Sequence, residues 1–255
     1  VRDIDVACFY ALSPLFTGDE QARDMLLADR CEPSGPALEV SLLTWMADAG
    51  GVADARFGAM EDRDFFNLSD SSDMGPPPGN VAGSVAASLP VDTQRVSASI
   101  QASASATSNF EFLEGARTRF RVMLDGMSRG RVAVNSAPDN LLSFLRGSAS
   151  AEASVFFVFE VEGEGELQFD LSGTLNSPST GFVGLSQVDE GGEVAVLANV
   201  RSAEGTVPVA VDGLLGPGTY RMGASIRMQT PADGQLRPEL EASGSSMIEL
   251  LLTAP

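Results

Sequence analysis

The feature that most constrains this chain is an alternation. Val96, Ala98, Ile100, Ala102, Ala104 and Ala106 take every second place, with Ser97, Ser99, Gln101, Ser103, Ser105 and Thr107 between them. Apolar residues at a period of two line one face of an extended strand, whereas a helix needs a period near 3.6. The run contains no charge and no proline. At roughly 3.3 Å per residue it predicts a strand about 40 Å long. Ala and Ser have weak strand preference, so its neighbours must hold it in place.

The pattern recurs. Ala149, Ala151, Ala153, Val155, Phe157, Phe159 and Val161 alternate in the same way, as do Leu167, Phe169 and Leu171, and then Val194, Val196, Ala198 and Val200. Tyr220, Met222, Ala224, Ile226 and Met228 share the inward face of another strand, and Ile248, Leu250 and Leu252 that of the last. Shorter strands fit Phe120–Leu124, Arg131–Val134, Phe182–Val188 and Val207–Val211, with turns at Asp189–Gly192 and Gly216–Gly218. Ser136–Arg146 reads as a short helix with Leu141, Leu142 and Leu145 on its apolar face. About ten strands with one dry face each must stack as two sheets or close into a barrel. The expected fold is all-β, a two-sheet β-sandwich of jelly-roll type over residues 91–255.

Residues 1–90 read as an irregular, loop-rich region. Thr17 and Glu20 have the spacing of a capping box before a short helix carrying Ala22, Met25 and Leu26. Ala37–Trp45 is an apolar run that reads as a buried strand. Glu61, Asp62, Asp64, Asp70 and Asp73 form an acidic loop that ends in Gly75, Pro76, Pro77, Pro78 and Gly79. Consecutive prolines lack the donors of a ladder, so this segment is a linker or a surface loop.

Composition narrows the function. Thirty-five acidic residues face 16 basic ones, all Arg, for a net charge of −19. Such a charge repels phosphates and anionic lipid heads, so neither nucleic acid nor a membrane surface is an expected partner. No segment reaches the ~18 apolar residues of a membrane-spanning helix, and no signal peptide opens the sequence, so an exported chain is expected in its mature form. There is no His. That removes the commonest general base, the Ser–His and Cys–His pairs, and the usual zinc ligand sets. The expectation is a non-catalytic protein. Cys8 and Cys31 are the only cysteines and form no CxxC motif. A disulfide between them is expected; it is worth about 3 kcal/mol in the chain-entropy view and fits an oxidising, extracellular compartment. The alternative is two buried thiols.

Two acidic groups are candidates for calcium, the one cofactor considered. Glu160, Glu162, Glu164 and Glu166 are spaced to share one face of a continuous strand, where their repulsion would favour a cation. Gly163 and Gly165 favour instead a turn with the carboxylates in water. Asp70 and Asp73 offer oxygen ligands without the spacing of a calcium loop. Trp45 and Tyr220 fall at inward positions, which leaves few aromatic faces to stack a sugar, so carbohydrate is a secondary partner class. Asn67-Leu68-Ser69 is a glycosylation sequon.

GLLGPGTYRMGASIRM, Gly213 to Met228, is followed by a loop and then by ASGSSMIELLLTAP, Ala242 to Pro255. This C-terminal β-rich region resembles the extracellular part of bacterial PEP-CTERM proteins, which exosortase systems process. The Pro-Glu-Pro motif, membrane helix and basic tail of that family are not in this sequence. The resemblance implies surface display in a matrix or biofilm and brings no catalytic residues.

Together these readings predict an extracellular structural or adhesive protein, a surface, matrix or filament subunit whose partner is itself. The strand of Val96, Ala98, Ile100, Ala102 and Ala104 is the candidate edge for pairing; if it lies centrally, its small residues merely pack closely. The strand of Ile248, Leu250 and Leu252 and the segment Val1–Leu12 are the candidate donors. The alternatives are a carbohydrate- or calcium-binding sandwich module and a jelly-roll virion structural protein.

Overall fold

The structure, a computed structural model, describes residues 38–73, 77–114, 117–189, 191–203 and 205–254. The strands are β1 (Glu39–Phe57), β2 (Met60–Ser71), β3 (Gly79–Asp92), β4 (Ser97–Leu113), β5 (Arg117–Ser136), β6 (Leu145–Glu162), β7 (Leu167–Ser177), β8 (Thr180–Asp189), β9 (Gly192–Ser202), β10 (Gly205–Leu215), β11 (Gly218–Asp233) and β12 (Glu239–Thr253). One turn of helix, α1 (Asp139–Leu142), joins β5 to β6. Two six-stranded sheets stack, in the orders β2-β1-β6-β11-β8-β9 and β10-β7-β12-β5-β4-β3. Every pairing is antiparallel.

The strand order contains the expected jelly roll. In β5 to β12 the first, eighth, third and sixth strands share one sheet, and the second, seventh, fourth and fifth share the other. β1 and β2 then extend one sheet beyond β6, while β4 and β3 extend the other beyond β5. The part of residues 1–90 that the structure describes is therefore strand, and β3 runs through the boundary expected at residue 90. The acidic stretch expected as a loop forms most of β2. β2 is an edge strand with most side chains in water, so its composition resembles that of a loop. The helix expected after Thr17, together with Cys8 and Cys31, lies outside the described residues.

Two further expectations change. Phe120–Leu124 and Arg131–Val134 belong to one strand, β5, which passes through Gly126 and Gly130. These glycines mark close approach: a Cβ on Gly126 would strike Met228, and one on Gly130 would strike the carbonyl oxygen of Gly147 in the facing sheet. In β9, Val194 and Val196 point outward, 59% and 55% exposed, while Ala198 is buried. The ladder between β8 and β9 shifts register twice, and a bulge reverses which face successive side chains occupy.

The core has two textures. At one end of the sandwich Trp45, Phe110, Phe157, Phe120, Phe159 and Tyr220 form a chain of ring contacts with centroids 4.7–5.7 Å apart, and Phe112 joins it against Phe120. Tyr220 finishes the chain by donating its hydroxyl to Gly216 O at 2.8 Å. Toward the other end the facing residues are small: Ala47, Ala49, Ala53 and Ala55 of β1, Ala98, Ala102, Ala104 and Ala106 of β4, and Ala149, Ala151 and Ala153 of β6. Between the two textures the hydroxyl of Ser108, on β4, crosses the core. It donates to Asp48 O and accepts from Ser154 N, groups that face each other across β1 and β6.

Candidate functional site

A sandwich of open sheets has edges whose free N–H and C=O groups can pair with another strand, and proteins guard them with charge, proline or bulges. Among the described residues there are four such edges: β2 and β9 in one sheet, β10 and β3 in the other. β2 carries Glu61, Asp62, Arg63, Asp64 and Asp70. β9 is twice irregular in register and carries Glu193 and Arg201. β10 contains Pro208 and Asp212. β3 differs. From Gly79 to Val91 it has no charged residue, and its pairing with β4 is regular throughout.

The direction of the β3 backbone follows from one contact. Ser88 N donates to the Asp62 carboxylate of β2 at 2.7 Å, so this N–H points away from β4. Backbone groups alternate sides along a strand, so Asn80, Ala82, Ser84 and Ala86 present theirs to the same open edge. Their side chains are small and lie on the outer face in water. Asp62 closes the edge at Ser88, and Pro90 has no donor. At the other end Pro77 and Pro78 precede the strand. The open stretch is thus short and bounded. Beneath it, Phe66 of β2 occupies the space where a side chain at Gly83 would stand, and Leu68 beside it remains 43% exposed.

The strand weighed as a candidate edge is central, the alternative given for it. β4, with Val96, Ala98, Ile100, Ala102 and Ala104 buried, is paired on both sides, by β3 and β5. β12, with Ile248, Leu250 and Leu252 buried, lies between β5 and β7 and is no free donor strand. Uncharged Ala/Ser alternation marks close packing as readily as an edge, and in β4 it marks close packing. The candidate calcium residues fall at the end of β6 with the turn after it, and on β2 with the residues after it. Glu160 and Glu162 close β6, and Glu164 and Glu166 belong to the connection to β7, which turns through Gly163 and Gly165 at φ of 111° and 114°. Asp70 is on β2, with Asp73 just beyond it. Among the described residues no three acidic side chains converge as a metal site would require.

Two other features have chemical content. A cleft of 520 Å³ beside the start of β1 is lined by Val40, Leu42, Trp45, Phe112, Glu39 and Glu114, among others. On the outer face of the β1–β6 pair, burial first and the nearby charge of Glu152 second push the Asp48 carboxyl above its usual range. Trp45 and Tyr220 are both buried, as expected, and Asn67 of the sequon is exposed on β2. Among the described residues no helix is long and apolar enough to cross a membrane. No protein-family model matches the chain, and no curated protein matches it.

Proposed function

We propose that the protein is a non-catalytic structural or adhesive subunit of an extracellular surface or matrix, and that it associates with further copies of itself by β-strand pairing. The observation that carries this reading is the stretch of β3 from Asn80 to Ala86, which, of the four edges among the described residues, alone has neither charge, proline nor bulge. Strand addition takes its affinity from main-chain hydrogen bonds and needs no deep pocket. The likeness of Gly213–Met228 and Ala242–Pro255 to PEP-CTERM extracellular regions supports the compartment. Jelly-roll order alone favours no function over another, because this fold hosts many.

Light scattering against concentration tests the reading. The wild-type chain is expected to gain mass, and Ser84→Lys to remain a monomer with an unchanged melting curve, because Ser84 is exposed and its N–H takes no part in the ladder with β4. A wild-type chain that stays monomeric at high concentration, with and without calcium, ends the proposal. Intact mass after alkylation checks the compartment: thiol labelling is expected only after reduction.

A further inference from the structure

We infer that the cleft beside the start of β1 is a binding site for a small apolar cation that also carries a neutral hydrogen-bond acceptor. The inference does not rest on the strand-pairing reading above.

The cleft opens where the two sheets end. One wall comes from Val40, Leu42 and Trp45 of β1, the other from Phe112 of β4 in the facing sheet, with Pro77 beside them. Trp45 lies against Phe110 with ring centroids 5.7 Å apart, and Phe112 stacks on Phe120 at 5.0 Å. The aromatic chain of the core therefore reaches the surface here, and Leu43 at the rim is 50% exposed. The volume, 520 Å³, falls within the range of about 300–1,000 Å³ typical of small-molecule sites. An apolar body seated in it extends the line of rings.

Two further observations give the rest of the ligand. Trp45 is 3% exposed, and among the described residues its buried indole N–H meets no acceptor. The ring cannot turn to find one, because Phe110 lies against it and a Cβ on Gly79 would strike its six-membered ring. A buried donor without a partner is costly, so an acceptor brought by a ligand is favoured. Charge then decides which acceptor. Glu39 and Glu114 stand at the cleft, and Glu162 is opposite Glu39 in the β1–β6 ladder. No basic side chain is among the described residues that line the cleft. Carboxylates beside apolar walls concentrate a potential of one sign. A carboxylate or phosphate is repelled, a carbonyl, sulfonyl or ether oxygen is admitted, and a positive end is drawn to the glutamates.

Three dansyl probes test this, each a naphthalene body with a sulfonyl acceptor: dansylcadaverine, a cation; dansylamide, which is neutral; and dansylglycine, an anion. Trp45 is the only tryptophan in the chain, so its emission falls as a probe binds beside it. The cation is expected to bind on the order of tenfold tighter than the anion. Glu39→Gln with Glu114→Gln, both at exposed positions, is expected to shrink that ratio several-fold. Asp170→Asn with Asp212→Asn makes the same charge change on β7 and β10, at the other edge of the sandwich, and is expected to preserve it. Trp45→Phe, followed by dansyl emission, is expected to bind dansylamide about 3–10-fold more weakly, the effect of one lost neutral hydrogen bond. No binding, as when water alone enters the cleft, overturns the inference. Equal binding of the three probes, an equal response to the two charge pairs, or unchanged affinity in Trp45→Phe each overturns it as well. So does probe release as protein concentration rises, which gives the cleft to a second copy. Binding that requires deletion of residues 1 to 12 gives the cleft to that segment and overturns it likewise.

Discussion

The two ends of the sandwich are built from the same strands and packed by opposite means. At the aromatic end, β1, β4, β5, β6 and β11 contribute Trp45, Phe110, Phe112, Phe120, Phe157, Phe159 and Tyr220, and the space between the sheets is filled by stacked rings. At the other end the strands contribute alanines and glycines, and the sheets themselves close the gap. There Gly130 faces the Gly147 carbonyl, and a Cβ on Gly147 would come within 2.8 Å of the Gln101 carbonyl oxygen in the facing sheet. Ring packing gains stability from large buried area and tolerates small shifts. Backbone-to-backbone packing gains little per residue, but it fixes where each strand must lie.

The difference predicts unequal responses to mutation. Phe120 touches Phe112, Phe157 and Phe159, so Phe120→Ala leaves a cavity that three rings border. Denaturant unfolding is expected to show a loss of about 3–5 kcal/mol. At the small end the damaging change is the reverse one. Gly130→Ala adds a single carbon where backbone from the other sheet already stands, and is expected to cost about 1–3 kcal/mol by overpacking. An unchanged midpoint for Gly130→Ala, measured beside a large drop for Phe120→Ala, would break the contrast by showing that the small end yields.

The boundary between the textures gives a smaller effect. Ser108→Ala removes the hydroxyl that joins Asp48 O to Ser154 N and is expected to cost on the order of 1 kcal/mol. Asp48 gives the smallest. Its carboxyl has a raised pKa in the folded chain, from burial and then from Glu152. A group of that kind binds its proton more tightly when folded, so it destabilises the fold while ionised and ceases to do so as pH falls through the raised value. Asp48→Asn is therefore expected to be more stable than wild type at neutral pH, with the advantage shrinking in acid. Melting curves at several pH values check the sign.

What could be read from sequence follows the same division. Strands with one dry and one wet face declared themselves: β4, β6, β11 and β12 fall where alternation placed them, and their inward residues are buried. Glycine hid the rest. Gly126 and Gly130 split β5 into two apparent strands, and Gly83 interrupts the inward series Val81, Val85, Ala87 and Val91 of β3. Each stands where another chain segment needs the room, a cause that lies far away in sequence. The outward Val194 and Val196 depend on a bulge, which is a property of a pair of strands and not of one. The candidate site was half visible. An uncharged small-residue strand was evident, but which of two such neighbours forms the edge is decided by long-range pairing, and β3 holds that place. β3 already showed its outer small residues at every second position, Ala82, Ser84, Ala86 and Ser88, which was the available signal.

Ser108 has a consequence for how the molecule can come apart. Its hydroxyl stands as a rung in a ladder belonging to the opposite sheet, between Asp48 O and Ser154 N. The two layers are therefore keyed: sliding one over the other by a single residue would pull the rung out of the ladder. It also makes the Ser154 amide a gauge of layer separation. Its hydrogen is held from the facing sheet as well as from within its own, whereas amides in the ordinary rungs of β1 and β6 are held only by the neighbouring strand. The difference between the two exchange rates would time the opening of the sandwich separately from the fraying of its strands.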